Sequence, residues 1–573
     1  MKAVFKEKEF LNIESFDFVK SQIEECDLVY PVHKSKIFKF CKAFGISDIS
    51  KASYKERARY EEYLDSFGVK RPNSYLLAFD RVVIWHRKKK SLDVAKAPAF
   101  QYKEDDIVYL VYEARKDKID VLYDMRGGNY FVWDFSKKYP KQYKKQIADV
   151  VASIIENIEE KCDLRHKRRL LISLNFLYDF LPKQGIYDLM RIDRACEKKF
   201  EMYLTESYRC LRVCAKVIIN LCRKVSFLES AEINWYANVW YMDRFTFDEA
   251  RVNESDKIET LSFLDIENTE NRKTVQDYVK YLVGLTDMSL STIRLIKYRL
   301  EEFVISIGIK SLYDVSAYDI DEYIKEREGK GNKKQFIDRK LVIVNNFYKY
   351  LLSYECIDKI PFQVGYYIST KFQTMHNDRA VEEKFIHLIL ENLKFCDSKL
   401  RLMFLVQLCT GRRISEVCQI KASSVRKDSG DYWICFYQTK MHEDIMVPIP
   451  EKLYDLLKKY IKESKMGNAD YVFQAENGRA YNSGLYQRKM AEFVELIGIC
   501  EGEYDFKSHD FRHTIATHLY DNGVSIQVIR DFLGHKTDEM TKQYIDFIPR
   551  EIEKKSRVLF EEKAFESGES LNG

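Results

Sequence analysis

Two histidines, an arginine and a tyrosine stand in order in HDFRHTIATHLYDNGVSIQVIRDFLGHKTDEMTKQY, the stretch from His509 to Tyr544 of this 573-residue chain. His509 and Arg512 are one helical turn apart, so both side chains fall on one face. Phe511, Ile515 and Leu519 supply the apolar side of that helix. Asp521-Asn522-Gly523 ends it, and SIQVIRDFLGH reads as a second helix that stops near Gly534. His535 follows that cap, and Tyr544 lies nine residues further on. A cation to hold a phosphate, imidazoles to carry protons and a phenolic hydroxyl to attack are the ingredients of phosphodiester chemistry.

A second arginine comes from upstream. SKLRLMFLVQLCTG reads as a buried helix that delivers Thr410-Gly411-Arg412-Arg413-Ile414-Ser415-Glu416. Gly411 permits a tight turn, and RISEVCQI restarts a helix, which holds Arg413 at a helix start beside the turn. A guanidinium fork suits non-bridging phosphate oxygens because it donates two parallel hydrogen bonds. Between these motifs, DYWICFYQ and EDIMVPIP read as two strands joined around Thr439 to His442. Pro448 and Pro450 mark the second as an edge or terminal strand.

The ordered set T-G-x-R-x-S-E, H-x-x-R, L-G-H and a tyrosine at plus nine resembles the signature of the tyrosine recombinase (phage integrase) family. The resemblance spans about residues 270 to 550. It implies six catalytic residues: Arg413 and Arg512 as phosphate clamps, Lys440 on the hairpin as the acid for the leaving 5′ oxygen, His509 and His535, and Tyr544 as nucleophile. By that likeness His509 accepts the tyrosine proton, His535 bonds the phosphate, and Tyr544 forms a 3′-phosphotyrosyl link. The link conserves phosphodiester energy, so no cofactor, neither ATP nor an essential metal, is implied. Tyr504 and Tyr520 are the other local tyrosines to weigh as nucleophiles among the chain's 39.

The expected fold is mainly α with small β elements: one or more helical core-binding domains, then a mixed, mostly helical catalytic domain with a β-hairpin. Residues 1–140 read as a mixed α/β domain of unknown role, with Gly45 and Gly68 as helix stops. There DDIVYLVYEARK and DVLYDMRGGNYFVWDF have strand content, turning at Arg126 to Asn129. Residues 141–255 are helical and basic, and 270–360 repeat their plan. Tyr187-Asp188 and Asp193 answer Tyr313-Asp314 and Asp319 at 126 positions' remove, which suggests a duplication. The acidic stretch 250–272 reads as a linker between the units, and 357–380 as a link to the catalytic domain, 375–573, with its tail helix.

The second helical unit, with Ser289-x-x-Thr-Ile-Arg294 at its opening, resembles the SAM-like core-binding domain that clamps DNA in that family. Arg294, Lys297 and Arg299 are candidates to face phosphates, with Arg165, Lys167 and Arg168 in the first unit. The partners implied are double-stranded DNA at recombination sites, further copies of the chain in a tetramer at synapsis with tail exchange, and accessory proteins.

Composition is consistent with this without demanding it. The 94 cations against 89 anions leave a net charge of only +5, so any basic DNA face must be local. Thirteen scattered cysteines without a CxxC pair read as reduced thiols of a cytoplasmic, nucleoid-associated protein. The N-terminus has no signal-like apolar core, and no uncharged run is long enough to span a membrane. His509-Asp510-Phe511-Arg512-His513 has zinc-helix spacing, but Asp510 stands where that motif needs Glu, and Arg512 would repel the cation. The competing functions are a type IB topoisomerase-like enzyme and a DNA-binding protein without catalysis.

Overall fold

The computed structural model describes residues 13–90, 98–125, 131–158, 164–368, 379–438, 443–499 and 503–542. It is mostly helical, with seven short strands in three small antiparallel sheets among the described residues. The chain divides into two compact units. The first comprises Met1–Arg244 with Thr260–Gln276, and the second Phe245–Glu259 with Asp277–Gly573.

The first unit opens with helices whose ends follow local chemistry. Pro31–Phe44 stops on Gly45 in the left-handed conformation, at φ 68°. Tyr54–Ser66 starts at a reciprocal cap between Ser53 and Glu56. The Arg57 guanidinium bonds the Asp80 carboxylate at 2.9 Å, and the Tyr112 hydroxyl donates to the same oxygen, all inside the core. The strand content expected further on is realised only in β1 (Ile107–Tyr109) and β2 (Val132–Asp134), which pair antiparallel. DVLYDM is not a strand. It lies within or directly after the helix Lys116–Asp124, because Ile119 and Leu122, one turn apart, are the residues that bury. The expected turn at Arg126–Asn129 lies outside the described residues.

Two stretches of the chain share an order of elements. Lys141–Glu156, Leu164–Lys183, a 3₁₀ turn Leu189–Arg191, Arg194–Ser207 and Ala215–Leu228 are matched by a second series. That series is Thr269–Leu285, Leu290–Ser306, a 3₁₀ turn Leu312–Asp314, Ala317–Gly329 and Lys334–Ser353. The residue pairing drawn from sequence slips by three. Asp193 is a helix N-cap, and the residue in its place is Ser316; Asp319 instead closes a capping box from inside its helix. Ahead of the last helix of the first series, Arg209–Cys214 is 3₁₀ and the α-helix begins at Ala215.

The stretch read as a linker is a strap. Arg251 donates to the carbonyls of Val283 and Met288 at 3.0 Å each, and Asp256 pairs with Arg294 at 3.1 Å. Asn253 accepts from Gln419 at 3.0 Å, and Glu259 pairs with Arg479 at 3.2 Å. Residues 245–259 therefore touch both the helical bundle and the later, sheet-bearing part of the second unit. Beyond them, β4 (Thr260–Ser262) pairs with β3 (Val239–Tyr241).

That later part is built on a three-stranded sheet, β5 (Val425–Asp428), β6 (Asp431–Gln438) and β7 (Glu443–Pro448), with β7 at the edge as its prolines required. Helices Ser398–Thr410, Glu451–Glu463, Ser483–Leu496 and Asp510–Asp521 contribute to its core. No helix among the described residues is long and apolar enough to cross a membrane. All eleven described cysteines are free thiols. Replacing Asp80 by alanine strands the buried Arg57 cation, and we expect a loss of about 3–5 kcal/mol in chemical denaturation. A loss within experimental error would show the pair to be dispensable.

Candidate active site

Two helix ends and one turn make the site. Ser398–Thr410 ends on Gly411, at φ 60°, where a Cβ would press on Leu533 Cδ2 at 3.1 Å. The next helix starts at once, with Arg413 as its cap residue and Ile414–Cys418 as its body. Arg413 Nη1 bonds Glu416 Oε1 at 2.9 Å, one turn along, which fixes the side chain at the helix start. Asp510–Asp521 carries His509 at its N-cap and Arg512 in its first turn. Its start is tied to Ser398–Thr410 by Gln407, which donates to the Ser508 carbonyl at 2.7 Å and accepts from the Tyr486 hydroxyl. Ile526–Leu533 ends on Gly534, at φ 66°, and turns His535 inward.

Arg512 sits where these pieces meet. Its fully buried guanidinium donates to the Gly411 carbonyl at 2.9 Å, the Leu533 carbonyl at 2.6 Å and His535 Nε2 at 2.7 Å. Arginine can only donate, so Nε2 is the acceptor nitrogen of the neutral ring. The proton then sits on Nδ1, which faces Thr541 Oγ1 at 3.0 Å. Burial first, and then the cations of Arg512, Arg413 and Arg412, push the His535 pKa down to about 3. Burial, His513, Arg512 and Arg413 push His509 down to about 4. Both imidazoles are neutral at pH 7, which leaves His509 able to accept a proton.

Four of the six expected residues, Arg413, His509, Arg512 and His535, are thus brought within electrostatic reach of one another. Lys440 and Tyr544 lie outside the described residues; the described chain reaches Gln438 and Glu443 on either side of the lysine, and Lys542 before the tyrosine. Tyr504 is half-buried against the core: its ring stacks on Phe385 at 5.6 Å and burial raises its pKa. Tyr520 is half-buried and packs on the small cluster around Ala516 and Ile529.

Two residues depart from the sequence reading. Lys297 is buried and bridges Glu301 at 2.7 Å, because i,i+4 spacing puts both on the inner face of their helix, so it does not face solvent phosphates. Arg412, read as filling a variable position, is fully buried. It donates to the Phe532 and Leu533 carbonyls and lies under the Phe436 ring, 5.6 Å from its centre. Desolvation lowers its pKa to about 10. No motif spacing marks it; a charged residue next to a helix-ending glycine is the sole cue. Arg294 is exposed but paired with Asp256, Arg299 is half-buried, and Arg165 and Arg168 are exposed with Lys167 half-buried.

Residues 275–355 match the phage integrase N-terminal SAM-like domain, and residues 380–549 match the phage integrase family. A SAM-like helical domain followed by an integrase-type catalytic domain is the class of protein these define. Two stretches of the chain, 275–355 and 380–549, are thus similar to the two domains of the phage integrase family. It is 27% identical over 348 residues to transposase B from transposon Tn554 of Staphylococcus aureus, covering 57% of this chain and 54% of that protein. To transposase B from transposon PsiTn554 of Staphylococcus aureus it is 24% identical over 414 residues, 69% of this chain and 63% of that one. A tyrosine recombinase of Agathobacter rectalis is 26% identical over 289 residues, 47% of this chain and 90% of its own. The chain thus spans little more than half to under two thirds of the length of the two transposases.

The two neutral histidines make a pH prediction. In the folded state they bind protons only near pH 3–4, whereas unfolded histidine binds one near pH 6.5. Between these values the unfolded chain holds more protons, so stability present above about pH 6.5 falls as the pH is lowered through the window. We expect the melting temperature of His535→Gln to decline less steeply from pH 6.5 to pH 4 than wild type. Equal slopes would place the acid sensitivity elsewhere.

Proposed function

We propose that this protein is a site-specific DNA recombinase that cuts and rejoins double-stranded DNA through a 3′-phosphotyrosyl intermediate to integrate, excise or transpose a mobile element. The observation that carries the reading is the convergence of Arg413, His509, Arg512 and His535 at the meeting of two helix ends and one turn. The matches of residues 275–355 and 380–549 to phage integrase domains and likeness to two transposases support it.

In this reading the scissile phosphate is held by the Arg413 and Arg512 forks, whose charge offsets that of the five-coordinate transition state. The Tyr544 oxygen bonds to phosphorus as the bond from phosphorus to the 5′ oxygen breaks. The tyrosine proton passes to His509, neutral and therefore able to take it. The leaving oxygen takes a proton from Lys440. His535, whose Nε2 accepts from Arg512, orients that guanidinium; once Arg512 turns to the phosphate, Nε2 bonds a phosphate oxygen only after taking up a proton itself. The reverse step, with another strand's 5′ hydroxyl as nucleophile, rejoins DNA with no external energy source. DNA is held by the basic residues of the helical bundles, Arg294, Arg299, Arg165, Lys167 and Arg168 among them. Four copies assemble at synapsis, exchanging C-terminal tails, with accessory proteins, in a cytoplasm where DNA is accessible.

The test is a nicked suicide substrate that carries the end of the element encoding the protein. Wild type should give a denaturation-resistant protein–DNA adduct and Tyr544→Phe none. Arg413→Lys keeps the charge but loses the fork, and should slow adduct formation by roughly a hundredfold. Site-specific binding with no adduct from wild type would favour a DNA-binding module. An adduct from Tyr544→Phe would reassign the nucleophile.

A further inference from the structure

The base of the β6–β7 hairpin and the turn that carries His535 are packed together by side chains outside the six expected catalytic residues. Phe436 and Gln438 point inward from β6, and both are buried. The Gln438 amide lies directly against Gly534: a Cβ built there would meet Nε2 at 2.3 Å and Oε1 at 2.8 Å. Gly534 has the positive φ that favours glycine, and the Gln438 amide occupies the space beside it. The Gln438 Nε2 is buried and has no hydrogen-bond partner among the described residues.

Arg412 completes the contact from the other side. Its guanidinium is sandwiched between the Phe436 ring and the carbonyls of Phe532 and Leu533. Those carbonyls are the unsatisfied, partially negative end of the helix Ile526–Leu533, which suits a buried cation. No carboxylate ion-pairs with Arg412 among the described residues. Strand, arginine, helix end and glycine turn form one continuous set of contacts, from two residues before Lys440 to the residue before His535.

We propose that Gln438 and Arg412 are positioning residues that brace the lysine-bearing hairpin against the Leu533–Gly534–His535 turn, so that leaving-group protonation and phosphate binding are set in register. The proposal rests on the reading of Lys440 as the acid for the 5′ oxygen. Neither residue touches the reacting atoms. Gln438 acts through the hairpin, and Arg412 through both hairpin and turn.

The experiment compares single-turnover cleavage of two suicide substrates, one with the ordinary 5′ bridging oxygen and one with sulfur in that place. A thiolate leaves without needing a proton, so a defect confined to the acid disappears on the sulfur substrate. Gln438→Ala should slow cleavage of the oxygen substrate between about tenfold and a hundredfold, as sub-ångström to ångström misplacement does, and be restored on sulfur. Gln438→Met, equal in length and without the amide, should cleave both substrates at close to the wild-type rate. Arg412→Met should be slow on both, because the His535 turn shifts as well. Gln438→Asn, one methylene shorter, should show the alanine pattern at smaller amplitude and serves if the alanine variant fails to fold. A Gln438→Ala rate equal to wild type on oxygen, or equally slow on both substrates, overturns the brace. Lys440→Ala is the control. If sulfur fails to restore it, the reading of Lys440 is wrong, whereas restoration of Lys440→Ala without Gln438→Ala defeats the brace alone.

Discussion

The Arg512 guanidinium is the contact on which the rest of the candidate site depends. It joins the carbonyl that follows one helix end, the carbonyl that closes another, and the ring of His535. Helix C-termini leave carbonyls unsatisfied and carry partial negative charge. Gly411 and Gly534, both with positive φ, are what let those ends turn sharply enough to aim at one point. A cation taken wholly out of water needs such compensation, and here it comes largely from backbone. The arginine proposed to grip a phosphate is thus also the residue that fixes where the surrounding segments meet.

The protonation states follow from the same arrangement. Burial, together with the nearby guanidinium groups, makes a further positive charge costly, so both rings stay neutral. Neutrality suits a base but constrains the tautomer of His535. Arg512 and Thr541 divide its two nitrogens between them, one accepting and one facing a hydroxyl. An anion arriving at Arg512 would lower the cost of protonating either ring, so electrostatics and substrate binding are coupled.

Much of this was legible from spacing. One-turn separation places His509 and Arg512 together, and glycines that end helices announce the turns that deliver Arg413 and His535. Pro448 was enough to put β7 at an edge. What spacing could not show was the partner of each charge. Lys297 reads as a surface cation until Glu301, one turn on, is seen to share its inward face. Arg412 reads as a filler because the helix end that neutralises it lies over a hundred residues away in sequence. The segment Asp120–Met125 has strand-like composition, yet burial selects Ile119 and Leu122 at helical spacing. Polar, acidic composition made 250–272 look like a linker, since composition reports solubility and not whether each polar group finds a partner.

The strap has a consequence for how the molecule can be divided. Residues 245–259 belong with the second unit, yet 260–276 belong with the first, so the chain passes between the units three times. A fragment beginning at 270 forfeits Arg251, Asn253, Asp256 and Glu259 and every bond they make to the helical bundle and the sheet-bearing part. A fragment beginning at 245 keeps those bonds but carries β4 without β3, leaving the backbone groups of Thr260–Ser262 unpaired. The two units are interleaved in sequence, and neither can be excised whole by a single cut.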